Sequence, residues 1–208
     1  MFVKICGLTN AEDVSAVAAL RPNALGFVFW PGSPRRVDPA EVKKWTEHIP
    51  ANVLRVGVFV DEDPTEINRI IARAGLNVVQ LHGSEEKSAV SQVAGLCWKA
   101  VHLDKMTVEE ADAYAVRGIL IDQYNAAMPG GTGETVDWAA AADFVQRTKH
   151  KVLLAGGLNS NNIKEAIERV KPWGIDVSSG VESEPGRKDL RRVEDFIDQC
   201  RAVDETTL

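Results

Sequence analysis

The sequence has few cysteines and no long hydrophobic run, and each absence excludes a class of protein. Its three cysteines, Cys6, Cys97 and Cys200, lie far apart and form no Cys-x-x-Cys pair. This spacing argues against a disulfide framework and a zinc site, so we expect reduced thiols, no metal and a cytoplasmic location. No apolar run approaches the roughly 18 residues of a membrane span, and the first residues lack the order of a signal peptide. We therefore expect no membrane partner.

Positive charge is also scarce. The 24 lysines and arginines are outnumbered by 30 acidic residues, which gives a net charge of −6. This balance argues against nucleic acid or an anionic membrane as a general partner, although local donors can still bind a small anion. With 45% hydrophobic and 26% charged residues, the composition is that of a globular protein. Because no linker or composition shift divides the chain, we predict a single domain over residues 1–208.

Eight short apolar runs alternate with helical patterns along the chain. The runs are apolar at consecutive positions, as expected of parallel strands covered on both faces. Helix starts are indicated by Pro39 and Pro64 and by a capping-box pattern from Thr9 to Glu12. The predicted strands are 2–6, 24–29, 54–60, 77–81, 97–102, 118–122, 152–155 and 174–178. Eight strand–helix units favour a closed (β/α)8 TIM barrel, because an open doubly wound sheet should carry a Gly-x-Gly-x-x-Gly turn after its first strand.

In such a barrel the chemistry lies at the carboxyl ends of the strands. Cys6 ends the first strand, and the helix start that follows favours a thiolate there. Cys97 and Cys200 fit ordinary core positions. Lys4 points to the same side as Cys6 by strand alternation. It either lowers the pKa of the Cys6 thiol or forms a structural ion pair.

A carboxyl group ends the sixth strand in the same way. Asp122 closes an apolar run, where burial is unfavourable unless the carboxyl is hydrogen-bonded or used in catalysis. Together with Cys6 it suggests a thiol and a carboxyl that face each other across one pocket. The glycine-rich stretch that follows is either a mobile lid or a connection that needs positive φ angles. Its residues are Gly130, Gly131, Thr132 and Gly133.

Other strand ends carry candidate binding groups. Arg35 and Arg36 follow the second strand and suit recognition of a carboxylate or phosphate, although loop arginines are more often solvated. His82, after the fourth strand, is either an acid–base group or a hydrogen-bonded structural residue. The loops after strands seven and eight expose N–H and hydroxyl donors, which predicts phosphate binding by Gly156, Gly157, Ser178, Ser179 and Gly180. The stretch from Gly180 to Lys188 has one residue too many for a P-loop.

These residues resemble a known family over essentially the whole chain. The matching segments include Lys4-Ile5-Cys6-Gly7, Ser33-Pro34-Arg35, Gln80-Leu81-His82-Gly83, Asp122, Gly130-Gly131-Thr132-Gly133, Ala155-Gly156-Gly157-Leu158 and Asp176-Val177-Ser178-Ser179-Gly180-Val181-Glu182. In these segments and their order, the chain is similar to the phosphoribosylanthranilate isomerases of tryptophan biosynthesis. That family performs an Amadori rearrangement without a cofactor, on a furanosylamine that carries a phosphate at one end and a benzoate at the other.

The resemblance implies a role for most of the matching residues. It implies that Asp122 is the general acid that opens the furanose ring and that Cys6 is the general base that removes the C2 proton. It places Arg35 on the anthranilate carboxylate, the loops after strands seven and eight on the phosphate, and the glycine-rich stretch over the site. Asp176 and His82 match substrate-site positions, with no chemical step assigned to either.

Two departures from the family keep other functions open. Arg36 stands where members often have an aromatic residue, and Gln123 where they often have a small one. Arg36 is either solvated or attracts a second phosphate, as in a histidine-pathway isomerase or a dual-substrate enzyme. The histidine-pathway barrels usually run longer and have aspartates at both catalytic places.

Two other functions are alternatives to the isomerase. A phosphometabolite-binding barrel without turnover would need neither Cys6 nor Asp122. A metal-dependent phosphosugar epimerase would need several histidines at strand ends, and the chain has only four in all. A closed barrel has no sheet edge, so we expect a monomer, with a homodimer as the alternative.

Overall fold

Eight parallel strands pair in chain order, and the last pairs with the first to close a barrel. The structure is a computed structural model and describes residues 1–123 and 136–205. The strands are β1 (Phe2–Ile5), β2 (Ala24–Val28), β3 (Leu54–Phe59), β4 (Val78–Leu81), β5 (Leu96–Val101), β6 (Gly118–Ile121), β7 (Lys151–Leu154) and β8 (Gly174–Val177). The predicted TIM-barrel fold is confirmed.

Helices alternate with the strands and cover the outside of the barrel. They are α1 (Ala11–Ala19), α2 (Pro39–Thr46), α3 (Pro64–Ala74), α4 (Lys87–Val90), α5 (Val108–Asp112), α6 (Trp138–Arg147), α7 (Ile163–Val170) and α8 (Leu190–Glu205). Between β8 and α8 lie a short 3-10 turn (Ser179–Val181) and a hairpin of β9 (Glu182–Glu184) and β10 (Arg187–Lys188). Over the described ranges, no helix is long and apolar enough to cross a membrane.

The helix starts follow the predicted signals with one exception. Pro39 and Pro64 occupy the first turns of α2 and α3, which are capped by the side chains of Asp38 and Asp63. The predicted capping box at Thr9 is wrong, because Asn10 caps α1 by accepting the N–H of Asp13. The hydroxyl of Thr9 instead donates to the carbonyl of Gly186 at 2.5 Å, and this bond ties the β9–β10 hairpin to the start of α1.

The interior of the barrel changes from apolar to polar toward the carboxyl ends of the strands. One buried interior cluster is apolar and consists of Ala24, Val56, Val78, Trp98, Ala100, Leu120, Leu153 and Ala155. By strand alternation the polar side chains that point inward nearer the carboxyl ends include Lys4, Cys6, Gln80, His82, Asp122, Asp176 and Ser178. The strands therefore bring polar side chains that are distant in sequence to one end of the barrel.

Candidate active site

The inward side chains at the strand ends line one pocket. Cys6 after β1 and Asp122 after β6 both contribute to its wall. The other lining residues are Val28, Trp30, Ser33, Arg35, Val58, Val60, Gln80, His82, Asp176 and Ser178. A second cavity, formed by the loops after β7 and β8, shares Asp122, Asp176 and Ser178 with the first. Most of the predicted site residues therefore border one continuous space.

Cys6 is held firmly at the end of β1. Its backbone N–H donates to the carbonyl of Val177 at 2.8 Å, and its side chain is only 7% exposed. A Cβ at Gly26 on the neighbouring strand would lie 2.6 Å from the Cys6 sulfur, so glycine is needed to leave room for the thiol. Burial raises the pKa of Cys6, Lys4 opposes the rise and Asp176 adds to it. Lys4 thus has the lowering effect on the thiol pKa that was one of its two expected roles, but burial outweighs it and the net shift is upward.

Lys4 and Asp176 form an ion pair inside the barrel beneath Cys6. The two residues are register partners on β1 and β8, and the Lys4 nitrogen lies 2.9 Å from each carboxylate oxygen of Asp176. Burial disfavours the charge of Lys4, but Asp176 and Cys6 together raise its pKa. Burial raises the pKa of Asp176, and Lys4 opposes that rise. The pair thus places a positive and a negative charge next to the thiol.

Asp122 is buried beside two histidines. Its Oδ1 accepts the N–H of Gln123 at 2.8 Å. The Nε2 atom of His82 lies 3.2 Å from Oδ2 of Asp122, but at an angle that does not form a hydrogen bond. On the other side of the ring, Nδ1 of His82 lies 2.9 Å from the Gln80 amide nitrogen. His102, whose pKa is lowered by burial, lies 3.1 Å from the Asp122 carbonyl oxygen.

Arg35 is buried in a three-charge cluster that the sequence patterns missed. Its Nε and Nη2 donate to the two carboxylate oxygens of Glu182 at 2.9 and 2.7 Å. The Lys188 ammonium donates to the same carboxylate at 2.8 Å. Burial disfavours the charge of Glu182, but Arg35 and Lys188 together lower its pKa. Arg36, in contrast, is exposed and is not among the residues that line the pocket.

The only sequence signals for the partners of Arg35 were indirect. Glu182 stood at the end of a segment matching the family, and Lys188 ended the stretch rejected as a P-loop. Both belong to a hairpin whose strands are only three and two residues long, too short to show a periodic pattern.

The loops after β7 and β8 form a cradle of backbone and hydroxyl groups. Its residues include Gly156, Gly157, Ser178, Ser179 and Gly180. Gly156 and Gly157 have φ angles of 82° and 63°, which favour glycine. A Cβ at Gly180 would collide with the carbonyl oxygen of Leu158, so the two loops are in close contact there. The predicted lid residues Gly130, Gly131, Thr132 and Gly133 lie outside the described residues.

The pocket residues are suited to acid–base catalysis on a small anion. A thiol and a carboxyl border a pocket that also contains a guanidinium and adjoins a donor-rich cradle. In the part of the chain that the structure describes, no three His, Cys, Asp or Glu side chains are grouped so that they could hold a metal ion.

Comparisons with known proteins agree with this chemistry. The sequence model of a family described as N-(5'phosphoribosyl)anthranilate (PRA) isomerase matches residues 3–199. The N-(5'-phosphoribosyl)anthranilate isomerase of Chromohalobacter salexigens is 42% identical over 200 residues, which cover 95% of this chain and 92% of that protein. The crystal structure of the phosphoribosyl anthranilate isomerase of Thermus thermophilus is 34% identical, covers 98% of this chain and 100% of its own, and superposes with a TM-score of 0.89.

A third similar protein was solved with a bound ligand. It is a phosphoribosyl anthranilate isomerase in complex with reduced 1-(o-carboxyphenylamino)-1-deoxyribulose 5-phosphate. It is 36% identical, covers 96% of this chain and 98% of its own, and has a TM-score of 0.82. The chain therefore belongs to the phosphoribosylanthranilate isomerase family, the aldose–ketose isomerases of tryptophan biosynthesis.

Proposed function

We propose that Cys6 is the general base and Asp122 the general acid of the isomerisation. The observation that carries this assignment is that both side chains, from β1 and β6, line one pocket that also contains Arg35. The substrate is N-(5-phosphoribosyl)anthranilate, whose carboxylate and phosphate need two separate anion-binding groups. Arg35 and the loops after β7 and β8 are suited to these two ends.

Ring opening requires a proton donor. Asp122 gives its proton to the furanose ring oxygen, the C1–O bond breaks, and the nitrogen lone pair forms the C1=N bond of a Schiff base. An acid in this role must keep its proton until the substrate is bound. Asp122 is placed for this step, because its side chain is buried and lines the same pocket as Cys6 and Arg35.

Proton transfer from carbon follows. The Cys6 thiolate takes the C2 proton, the C–H electrons form a C1=C2 double bond, and the C1=N electrons return to nitrogen. The enolamine then loses its O–H proton and gains a proton at C1, which gives the ketose. The raised pKa of Cys6 makes its thiolate a strong base, and the buried ammonium of Lys4 stabilises the thiolate when it forms.

The binding residues hold the substrate at its two ends. Arg35 binds the anthranilate carboxylate, and the phosphate accepts hydrogen bonds from the loops that contain Gly156, Gly157, Ser178, Ser179 and Gly180. Asp176 supports the site indirectly, because its carboxylate holds Lys4 beneath the thiol. The exposure of Arg36 supports one phosphate site, so we propose the tryptophan-pathway substrate alone.

The experiment is the loss of anthranilate-type fluorescence from freshly formed substrate, measured for Cys6→Ala and Asp122→Asn. Since acid–base groups contribute about 100- to 10,000-fold, each variant should lose at least about 100-fold in kcat. Cys97→Ala is the matched control, because Cys97 is a buried thiol on β5 that does not line the pocket. Activity within tenfold of wild type in either pocket variant would overturn the assignment.

We also propose that the chain works as a monomer in the cytoplasm. Every barrel strand is paired on both sides, which leaves no barrel edge for a partner strand. The three free cysteines suit a reducing compartment. One solved relative is described as dimeric, so the mass in solution, measured by light scattering after gel filtration, decides between monomer and homodimer.

A further inference from the structure

We propose that Lys188 sets the preference of the site for a carboxylate-bearing substrate, by giving the Arg35–Glu182 pair a net positive charge. This inference rests on the proposed function, in which Arg35 binds the anthranilate carboxylate. It assigns to the β9–β10 hairpin a part in substrate selection.

The guanidinium of Arg35 is bound by Glu182 along one side only. Nε and Nη2 each donate one hydrogen to Glu182, which uses two of the five N–H donors of an arginine. The other three have no hydrogen-bond partner within the described ranges. They are the two hydrogens of Nη1 and the second hydrogen of Nη2, which make the fork that matches a carboxylate. Glu182 therefore fixes the plane of the guanidinium and leaves three donors available to a ligand in the pocket that Arg35 lines.

Glu182 also weakens the attraction that Arg35 exerts. Arg35 and Glu182 alone form a neutral pair, and the Glu182 carboxylate repels a carboxylate ligand. Lys188 changes this balance, because its ammonium lies 2.8 Å from Oε1 of Glu182 and brings the cluster to one net positive charge. Burial lowers the pKa of Lys188, and attraction to Glu182 opposes that effect. The charge of Lys188 thus depends on the intact cluster.

The hairpin holds Lys188 in place from several sides. Lys188 and Glu182 are register partners across the two strands. The backbone N–H of Lys188 donates to Asp13 of α1 at 2.9 Å. Its ammonium also donates to the carbonyl of Ser178 at 3.2 Å, which connects the carboxylate-binding cluster to the phosphate loop. With these contacts, Lys188 has little freedom to leave the cluster.

The test compares two ligands by isothermal titration calorimetry. One is reduced 1-(o-carboxyphenylamino)-1-deoxyribulose 5-phosphate, and the other is the same compound built on aniline, which lacks the carboxylate. The ratio of their Kd values measures carboxylate preference. Because Lys188→Met returns the cluster to a neutral Arg35–Glu182 pair, in which Glu182 repels the ligand carboxylate, it should reduce this ratio by about tenfold. Lys188→Gln, which keeps N–H donors but lacks the charge, should reduce the ratio similarly. Lys188→Arg, which keeps the charge, should leave the ratio near the wild-type value.

A matched control removes the same charge elsewhere. Lys151 begins β7 and lies over the ring of Trp173, far from the strand ends that form the pocket. Lys151→Met should leave the ratio unchanged. Thermal melting identifies the folded variants, and Lys188→Gln carries the test if Lys188→Met does not fold.

The outcomes separate this inference from the function on which it rests. If Lys188→Met and Lys188→Gln weaken both ligands equally, Lys188 is only structural and the inference fails. If Arg35→Met removes the carboxylate preference while both Lys188 variants keep it, the role of Arg35 stands and the inference fails. If Arg35→Met itself keeps the preference, the proposed role of Arg35 fails, and the inference fails with it.

Discussion

Two buried lysines on the barrel strands each pair with a carboxylate, and the two pairs differ in what surrounds them. Lys4 contacts Asp176 at 2.9 Å, and Lys99 contacts Glu85 at 3.1 Å. Both lysines are at most 1% exposed. By strand alternation, Lys4 points into the barrel and Lys99 points outward toward the helices. Burial and partner type are therefore the same in the two pairs, and the face of the strand is what differs.

The hydrogen-bond partners show the consequence of that difference. Within the described part of the chain, Lys99 donates only to main-chain acceptors besides its ion pair, namely the carbonyl oxygens of Leu81, Gly83 and Ala100. Glu85 accepts the backbone N–H groups of Asp61 and Gly83. This pair fastens the loops after β3 and β4. The Lys4–Asp176 pair instead acts on the pKa of Cys6. The inward pair thus affects a reacting group, whereas the outward pair stabilises the scaffold.

The largest effect is expected from Lys4→Met. This change leaves the Asp176 carboxylate buried without a partner and removes the cation beside the Cys6 thiolate. The free energy of unfolding should fall by about 3–5 kcal/mol, because one partner of a buried ion pair is lost. The kcat/KM should fall by about 100-fold or more, because the base is less often ionised. Urea unfolding and the fluorescence assay measure the two effects on the same protein.

The double variant Lys4→Met, Asp176→Asn separates stability from catalysis. Removing both charges should recover much of the lost stability, since no buried carboxylate is left unpaired. Activity should stay at least about tenfold below wild type, because Cys6 still lacks its cation. Full recovery of activity together with stability would show that Lys4 is only structural, like Lys99.

The second prediction concerns pH. Cys6 must lose its proton to act as the base, and its pKa lies above the ordinary value of 9.0. The ionised fraction of Cys6 should rise about tenfold per pH unit below its pKa, and kcat/KM should rise with it over the pH range in which the general acid Asp122 keeps its proton. Asp176→Asn removes a negative charge that raises the Cys6 pKa, so it should move this profile to lower pH. Glu85→Gln, in the outward pair, should leave the profile in place.

The control for the pH profile is the Cys6→Asp variant, in which a carboxylate replaces the thiol as the base. The side chain of Cys6→Asp is ionised over the whole neutral to alkaline range, so its kcat/KM, however small, should not rise with pH. If the wild-type profile were equally flat over the range in which Asp122 keeps its proton, Cys6 would not be the base.

The strand pattern predicted the barrel well because it depends on local hydrophobicity. Most predicted strands end one residue beyond the observed ladder, as for 2–6 against Phe2–Ile5 and 118–122 against Gly118–Ile121. In these two strands the extra residues are Cys6 and Asp122. They continue the strand alternation one residue further, with their N–H groups still donating to Val177 and Val101 of the neighbouring strands, which is why they face the pocket. The same alternation, applied to Lys4, predicted its inward direction and both of its possible roles.

What the sequence did not predict depends on contacts between distant residues. Arg35 and Glu182 are 147 positions apart, and no local pattern indicates that they meet. The β9–β10 hairpin that carries Glu182 and Lys188 is too short for a period of two to be recognised. The net direction of the Cys6 pKa shift could not be predicted either, because it depends on how completely the folded chain excludes water from the thiol.

The smallest effect on catalysis is expected from Lys99→Met. Glu85 loses its cation but keeps its two backbone donors, Asp61 and Gly83, so the loops after β3 and β4 loosen. The free energy of unfolding should fall by about 3–5 kcal/mol, as for Lys4→Met. In the folded protein, kcat/KM should change by less than about threefold, because sites without shared partners act independently. Urea unfolding and activity well below the unfolding midpoint give both values.

This last variant decides whether the face of the strand determines the role of a buried pair. Lys4→Met and Lys99→Met remove the same group from equally buried sites, so a similar loss of stability is expected from both. Only the inward change should reduce turnover, because Lys4 is among the groups that shift the pKa of Cys6 and Lys99 is not. If Lys99→Met reduced kcat/KM as much as Lys4→Met, turnover would depend on the rigidity of the strand-end loops, and the charge next to the thiol would not explain the effect of Lys4.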